Sequence, residues 1–166
     1  LQRAVTGHEN EMYYQPIYST REGKFVSAEA LIRLKDDQLG FISPGLFIPA
    51  AEKSGSILQI GEFVINDVCR FMADMEEENT GIRFVEVNLS VVQCMQSNMA
   101  DKIKEVLEQY SIAPDRINFE ITETASDYVA EAVLRTMNDI SGNGNGFSLD
   151  DYGSGYSNLG RVMSFP

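Results

Sequence analysis

The chain contains no tryptophan, a single histidine and only two cysteines in 166 residues. Cys69 and Cys94 are too few for a disulfide framework, and neither sits in a C-x-x-C metal pattern. Basic residues are scarce as well: 13 Lys and Arg stand against 25 Asp and Glu, for a net charge of -12 and a pI near 4.4. That balance argues against DNA or RNA polymers, whose binding depends on cations neutralising phosphates. A small phosphorylated ligand stays open, provided metal ions or a few placed cations offset the repulsion. No apolar run approaches the roughly 20 residues that span a bilayer, and the first residues lack a signal peptide's apolar core. No membrane contact by this domain is expected. The cytoplasm is the expected compartment, and the cytoplasmic domain of a membrane-anchored protein would look the same.

What is present is a globular balance, 43% hydrophobic and 23% charged, at the length of one ordinary domain. Short β-like runs alternate with longer helical ones. Residues 12–18 (MYYQPIY) and 27–34 (SAEALIRL) predict paired strands across a polar turn. Ser43-Pro44 is a helix-start signal, and Gly55 ends that helix. Ile57, Ile60, Val64, Val68, Phe71, Met72 and Met75 recur at helical spacing, before the acidic run 76–78, which reads as a solvated helix end. Strands are expected over 82–89, 117–122 and 147–150, with helices over 97–110 and 126–140. The loop 151–157 and a further helix start follow, and residues 1–11 look like an entering helix. Strands alternating with helices predict an α/β domain with a largely parallel sheet, open or closed into a barrel.

The acidic residues fall where such a fold does chemistry. Asn88, Glu120 and Asp150 end strands, and Glu29 lies within one. In parallel α/β folds those strand ends form the active face, so separate strands can aim their last residues at one point. Strand alternation puts Glu29, Leu31 and Arg33 on one face, and Asn118, Glu120 and Thr122 on another. Carboxylates turned inward at a barrel mouth need a cation. Every donor is an oxygen, and His8 lies outside the motifs, so Mg²⁺ or Mn²⁺ suits the set better than zinc. Two such ions would activate a water and stabilise the leaving oxygen of a phosphodiester. Taken singly, each acidic residue also reads as an ordinary solvated loop edge.

These residues form an ordered set of motifs: YYQPIY at 13–18, AEALIR at 28–33, SPGLFIPAAEKSG at 43–55, VNLS at 87–90, FEITET at 119–124 and DDYGSGYSNL at 150–159. The set resembles the EAL-domain family of cyclic di-GMP phosphodiesterases, over essentially the whole chain. The resemblance implies a (β/α)8 barrel of the TIM type with an antiparallel early strand, and metal-dependent hydrolysis of cyclic di-GMP to a linear dinucleotide in bacterial signalling. It implies that Glu29, Asn88, Glu120 and Asp150 hold a first metal, with Asp151 and a bridging Asp150 holding a second. Gln15, Leu31 and Arg33 would contact substrate, Arg33 offering its planar fork to a phosphate. Glu123 would support the loop after Asp151.

The resemblance implies partners too: cyclic di-GMP, a second copy in a homodimer, and an adjacent GGDEF or sensor domain. Glu86 departs from the family pattern, sharing the face of Asn88 with either a cation to pair or a metal to perturb. A (β/α)8 barrel takes about 250 residues, so residues 1–166 are expected to be an EAL domain cut before its last strands, inactive alone. The rival reading is an inactive domain serving as a cyclic di-GMP receptor or a protein-interaction module. Tyr13 and Tyr14 are expected to be core packing, although an aromatic near the mouth could stack on a guanine.

Overall fold

The computed structural model describes residues 10–36, 38, 40–122 and 131–150. Strand β1 (Asn10–Ser19) pairs antiparallel with β2 (Lys24–Asp36), and the three-residue β3 (Gly40–Ile42) pairs antiparallel with the far end of β2. From β2 onward the sheet is parallel, through β4 (Phe84–Asn88), β5 (Ile117–Thr122) and β6 (Gly146–Asp150). The order β1-β2-β4-β5-β6 leaves the sheet unclosed among the described residues. An antiparallel first pair followed by parallel βα units is the mixed α/β arrangement expected from the motif order.

The helices are α1 (Pro44–Ser54), α2 (Ile57–Glu77), the four-residue α3 (Val91–Cys94), α4 (Met99–Gln109) and α5 (Glu131–Gly142). Pro44 opens α1, where its missing N–H costs nothing and its fixed φ already suits a helix. Ser43 stands at the N-cap but its side chain makes no capping hydrogen bond; instead the Ser43 carbonyl accepts from the Leu46 and Phe47 N–H groups at 2.9 and 3.2 Å. Gly55 closes α1 in the left-handed region, φ 78°, which a side chain would disfavour.

Alternation sorts the strands into two faces. Ala30 and Leu34 of β2, Val85 and Val87 of β4, and Ile117, Phe119 and Ile121 of β5 are buried against the helices. They meet Ile57, Ile60, Val64, Val68 and Met72, which return at helical spacing along α2. Tyr14 joins this layer: its ring stacks on Phe71 at 3.7 Å and its hydroxyl donates to Asp67 Oδ1 at 2.7 Å. Burial, with the carboxylate beside it, raises the Tyr14 pKa above the usual phenol range. Burial also pushes the Cys69 and Cys94 thiols up to about 12. Neither thiol is therefore expected to react with a thiol-specific reagent near pH 8 until the protein unfolds, a difference that labelling with and without denaturant reads directly.

Several expectations need correction. Asn10 and Glu11 belong to β1, so the entering helix does not reach them; residues 1–9 lie outside the described ones. The strand expected over 82–89 is only Phe84–Asn88, and the helix expected over 126–140 runs on to Gly142, with 126–130 outside the described residues. The loop 151–157 and the following helix start also lie outside them. Strand β3 and helix α3 went unforeseen, being too short to show a period. Tyr13 is not core: it is 48% exposed on the face opposite Tyr14. The acidic run at the C-terminal end of α2 is not wholly solvated, since Glu76 Oε1 pairs with Arg116 Nη1 at 2.6 Å.

Candidate functional site

The sheet face turned away from the helices carries the polar residues. Pairing across β1 and β2 sets Gln15 opposite Glu29, Tyr13 opposite Leu31, and Glu11 opposite Arg33. Across β2 and β4, Glu29 is level with Glu86; across β4 and β5, Glu86 is level with Asn118 and Asn88 with Glu120. Across β5 and β6, Glu120 is level with Ser148 and Thr122 with Asp150. Four strands thus deliver Gln15, Glu29, Asn88 and Glu120 to one stretch of the sheet, with the backbone of Asp150 one step further along a fifth.

The side chains meet there. Asn88 Nδ2 donates to Glu29 Oε1 at 3.1 Å. Glu29 and Glu120 are half-buried, whereas Asn88 is exposed at the end of its strand. Arg33, also half-buried, donates through Nη1 to the Ile32 carbonyl at 3.0 Å, and its guanidinium lies 5.9 Å from the Tyr13 ring centroid. The Arg33 fork has no carboxylate within ion-pair distance among the described residues.

A cleft of about 700 Å³ opens at this point, with Glu29, Leu31, Arg33, Asn88 and Glu120 in its wall. The remainder of the lining is largely aliphatic and comes mostly from the helix layer, including Ile48 of α1, Ile57, Ile60 and Val64 of α2 and Ile103 of α4. Below the cleft Asn118 Nδ2 donates to Ser148 Oγ at 2.6 Å. A Cβ at Gly146 would run into the Asn118 amide and displace it. Asn118 and Ser148 thus tie β5 to β6 beneath the acidic residues, a link that nothing short of the pairing register could reveal.

The side chain of Asp150, together with Asp151 and Glu123, lies outside what is described. Among the described residues, no three His, Cys, Asp or Glu side chains gather closely enough to hold a metal ion. The donor chemistry nevertheless fits a hard divalent cation: two carboxylates and an amide come from three neighbouring strands, with a carboxylate–amide contact already made. The Asn88 amide turned over would present Oδ1 to the same point. No helix among the described residues is long and apolar enough to cross a membrane.

The family model for the EAL domain matches residues 1–166. The chain belongs to the EAL domain family. It is 35% identical over 166 residues to the bifunctional diguanylate cyclase/cyclic di-GMP phosphodiesterase MucR of Pseudomonas aeruginosa, covering 24% of that protein. It is 34% identical, again over 166 residues, to the cyclic di-GMP phosphodiesterase PdeR of Escherichia coli, covering 25% of it. Among solved structures, the PaMucR phosphodiesterase in complex with c-di-GMP superposes with a TM-score of 0.90 at 34% identity, over 99% of this chain and 67% of that one. The chain therefore spans about a quarter of these curated relatives' length. Its described sheet corresponds to part of an EAL barrel.

Proposed function

We propose that the intact domain containing these residues is a metal-dependent phosphodiesterase that opens cyclic di-GMP to a linear dinucleotide. The observation that carries this reading is the convergence of Glu29, Asn88 and Glu120 from three strands on one cleft, with Asn88 and Glu29 in contact at 3.1 Å. The named activity of the MucR and PdeR relatives supports it. On this reading residues 1–166 are the N-terminal two-thirds of an EAL domain, working in the cytoplasm beside a GGDEF or sensor domain, and as a homodimer.

Glu29, Asn88, Glu120 and Asp150 would hold one Mg²⁺ or Mn²⁺, and Asp150 with Asp151 a second. When bound, the ions supply the positive charge that an acidic face lacks and polarise the phosphodiester. The chain's own residues do the rest. Arg33 offers two parallel donors to a phosphate oxygen pair, a geometry that a lysine ammonium does not reproduce. Gln15, level with Glu29 and exposed, presents an amide to the ligand, and Leu31 gives the base an apolar contact. Glu123 would hold the loop beginning at Asp151.

The test is turnover by the full-length protein. With Mg²⁺ or Mn²⁺ it should convert cyclic di-GMP to the linear dinucleotide, and with a chelator in excess it should not. Binding without turnover in the presence of either metal would make the protein a receptor instead. Arg33→Ala should raise KM about ten- to a hundredfold, the loss expected when a charged phosphate contact worth about 1.5–3 kcal/mol is removed. Arg33→Lys should recover only part of it.

A further inference from the structure

Immediately after Asn88 the chain makes a sharp entry into α3, and the fixing of that entry is unusual. Leu89 N–H donates to the Glu120 carbonyl at 2.8 Å, extending the β4–β5 ladder one residue beyond the strand. One residue later, Ser90 N–H donates to Gln93 Oε1 at 2.9 Å, while Gln93 N–H donates to Ser90 Oγ at 3.4 Å. This reciprocal pair is a capping box. Capping boxes ordinarily sit at the surface, but Gln93 is only 5% exposed. Its amide is pressed onto the backbone of α2 at Gly61, where a Cβ would collide with Gln93 Nε2. Any side chain at Gly61 would force the Gln93 amide to move, so α2 serves as a backstop for the Gln93 side chain.

The contact reaches further than a helix cap. Asn88 is followed by two consecutive N–H groups with assigned acceptors, the first on the strand of Glu120 and the second on the side chain held by Gly61. The four-residue helix that follows has too few internal hydrogen bonds to hold this turn alone.

We propose that Gln93, seated against Gly61, is a positioning residue that keeps Asn88 and Glu120 in register for a divalent cation; this rests on the metal-dependent reading above. Without the Gln93 amide, Ser90 N–H loses its acceptor, the turn after Asn88 loosens, and two donors from adjacent strands lose their fixed separation. Orienting groups of this kind commonly change metal affinity by about ten- to a hundredfold.

The test is Mn²⁺ affinity of the full-length protein, read from the electron paramagnetic resonance signal of free Mn²⁺ without any turnover. Gln93→Ala should weaken Mn²⁺ binding about tenfold or more in protein whose circular dichroism remains folded. Gly61→Ala should do the same from the opposite side of the contact. The two changes together should be no worse than Gln93→Ala alone, because removing the amide vacates the space that the new methyl needs. Ser90→Ala, which deletes one hydrogen bond and little packing, gives a milder version and remains readable if the other variants misfold. Unaltered Mn²⁺ affinity in folded Gln93→Ala or Ser90→Ala protein would overturn the inference while leaving the metal reading intact. Failure of the unsubstituted protein to bind Mn²⁺ would overturn both.

Discussion

Glu29→Gln in the full-length protein is expected to lower the rate of cyclic di-GMP hydrolysis at least about a thousandfold, a loss of roughly 4 kcal/mol of transition-state stabilisation. The substitution keeps the shape of the side chain and its place opposite Gln15 on the sheet. What it removes is the negative charge facing Asn88 at the cleft, the one ingredient a cation needs from that position. Stability should change little, because the half-buried carboxylate makes no ion pair among the described residues whose loss would unsettle the fold. A steady-state assay paired with a thermal melt checks both halves. Retained turnover would remove Glu29 from the metal site.

Phe119→Ala should have the opposite profile, a large loss of stability at a position with no chemistry of its own. Phe119 is 1% exposed, neighbours Glu120 on β5, and packs its ring 5.9 Å from that of Phe147 on β6. Deleting a ring from such a position costs about 3–5 kcal/mol, transfer and cavity terms together. At about 2–4 °C per kcal/mol for a domain of this size, the melting temperature should fall by roughly 6–20 °C. The catalytic groups stay in the sequence, so residual folded protein at low temperature should keep much of its activity. A melting temperature within about 2 °C of the parent would mean that the helix-facing side of β5 is not the packed layer described here.

How much of this was legible in the sequence depends on the range of the interaction. The strands carrying Glu29, Asn88 and Glu120 were readable because alternation is a local signal, and it assigns the polar residues to one face and Val87 and Phe119 to the other. Helix α2 was readable for the same reason at helical period, over 21 residues. The register between strands was not readable: that Glu29 stands level with Glu86, or Asn88 with Glu120, is decided by packing across the sheet. Helix α3, at four residues, completes barely one turn, so no repeat can show in its sequence. The Gly61–Gln93 contact joins α2 to α3 through space, and in the sequence Gly61 is merely a glycine within a helical stretch. Tyr13 and Tyr14 show the limit in miniature. Adjacent and identical in type, they were expected to pack alike, yet one stacks on Phe71 inside and the other borders Arg33 outside.

Glu86, the departure from the family pattern, has a definite place in the sheet. It is half-buried on the polar face, level with both Glu29 and Asn118.

The most direct measurement of the central claim is anomalous diffraction from crystals of the intact domain soaked in Mn²⁺. The account predicts a Mn²⁺ peak about 2 Å from oxygens of Glu29, Asn88 and Glu120. No peak at that cleft, or a peak held by other residues, would contradict it.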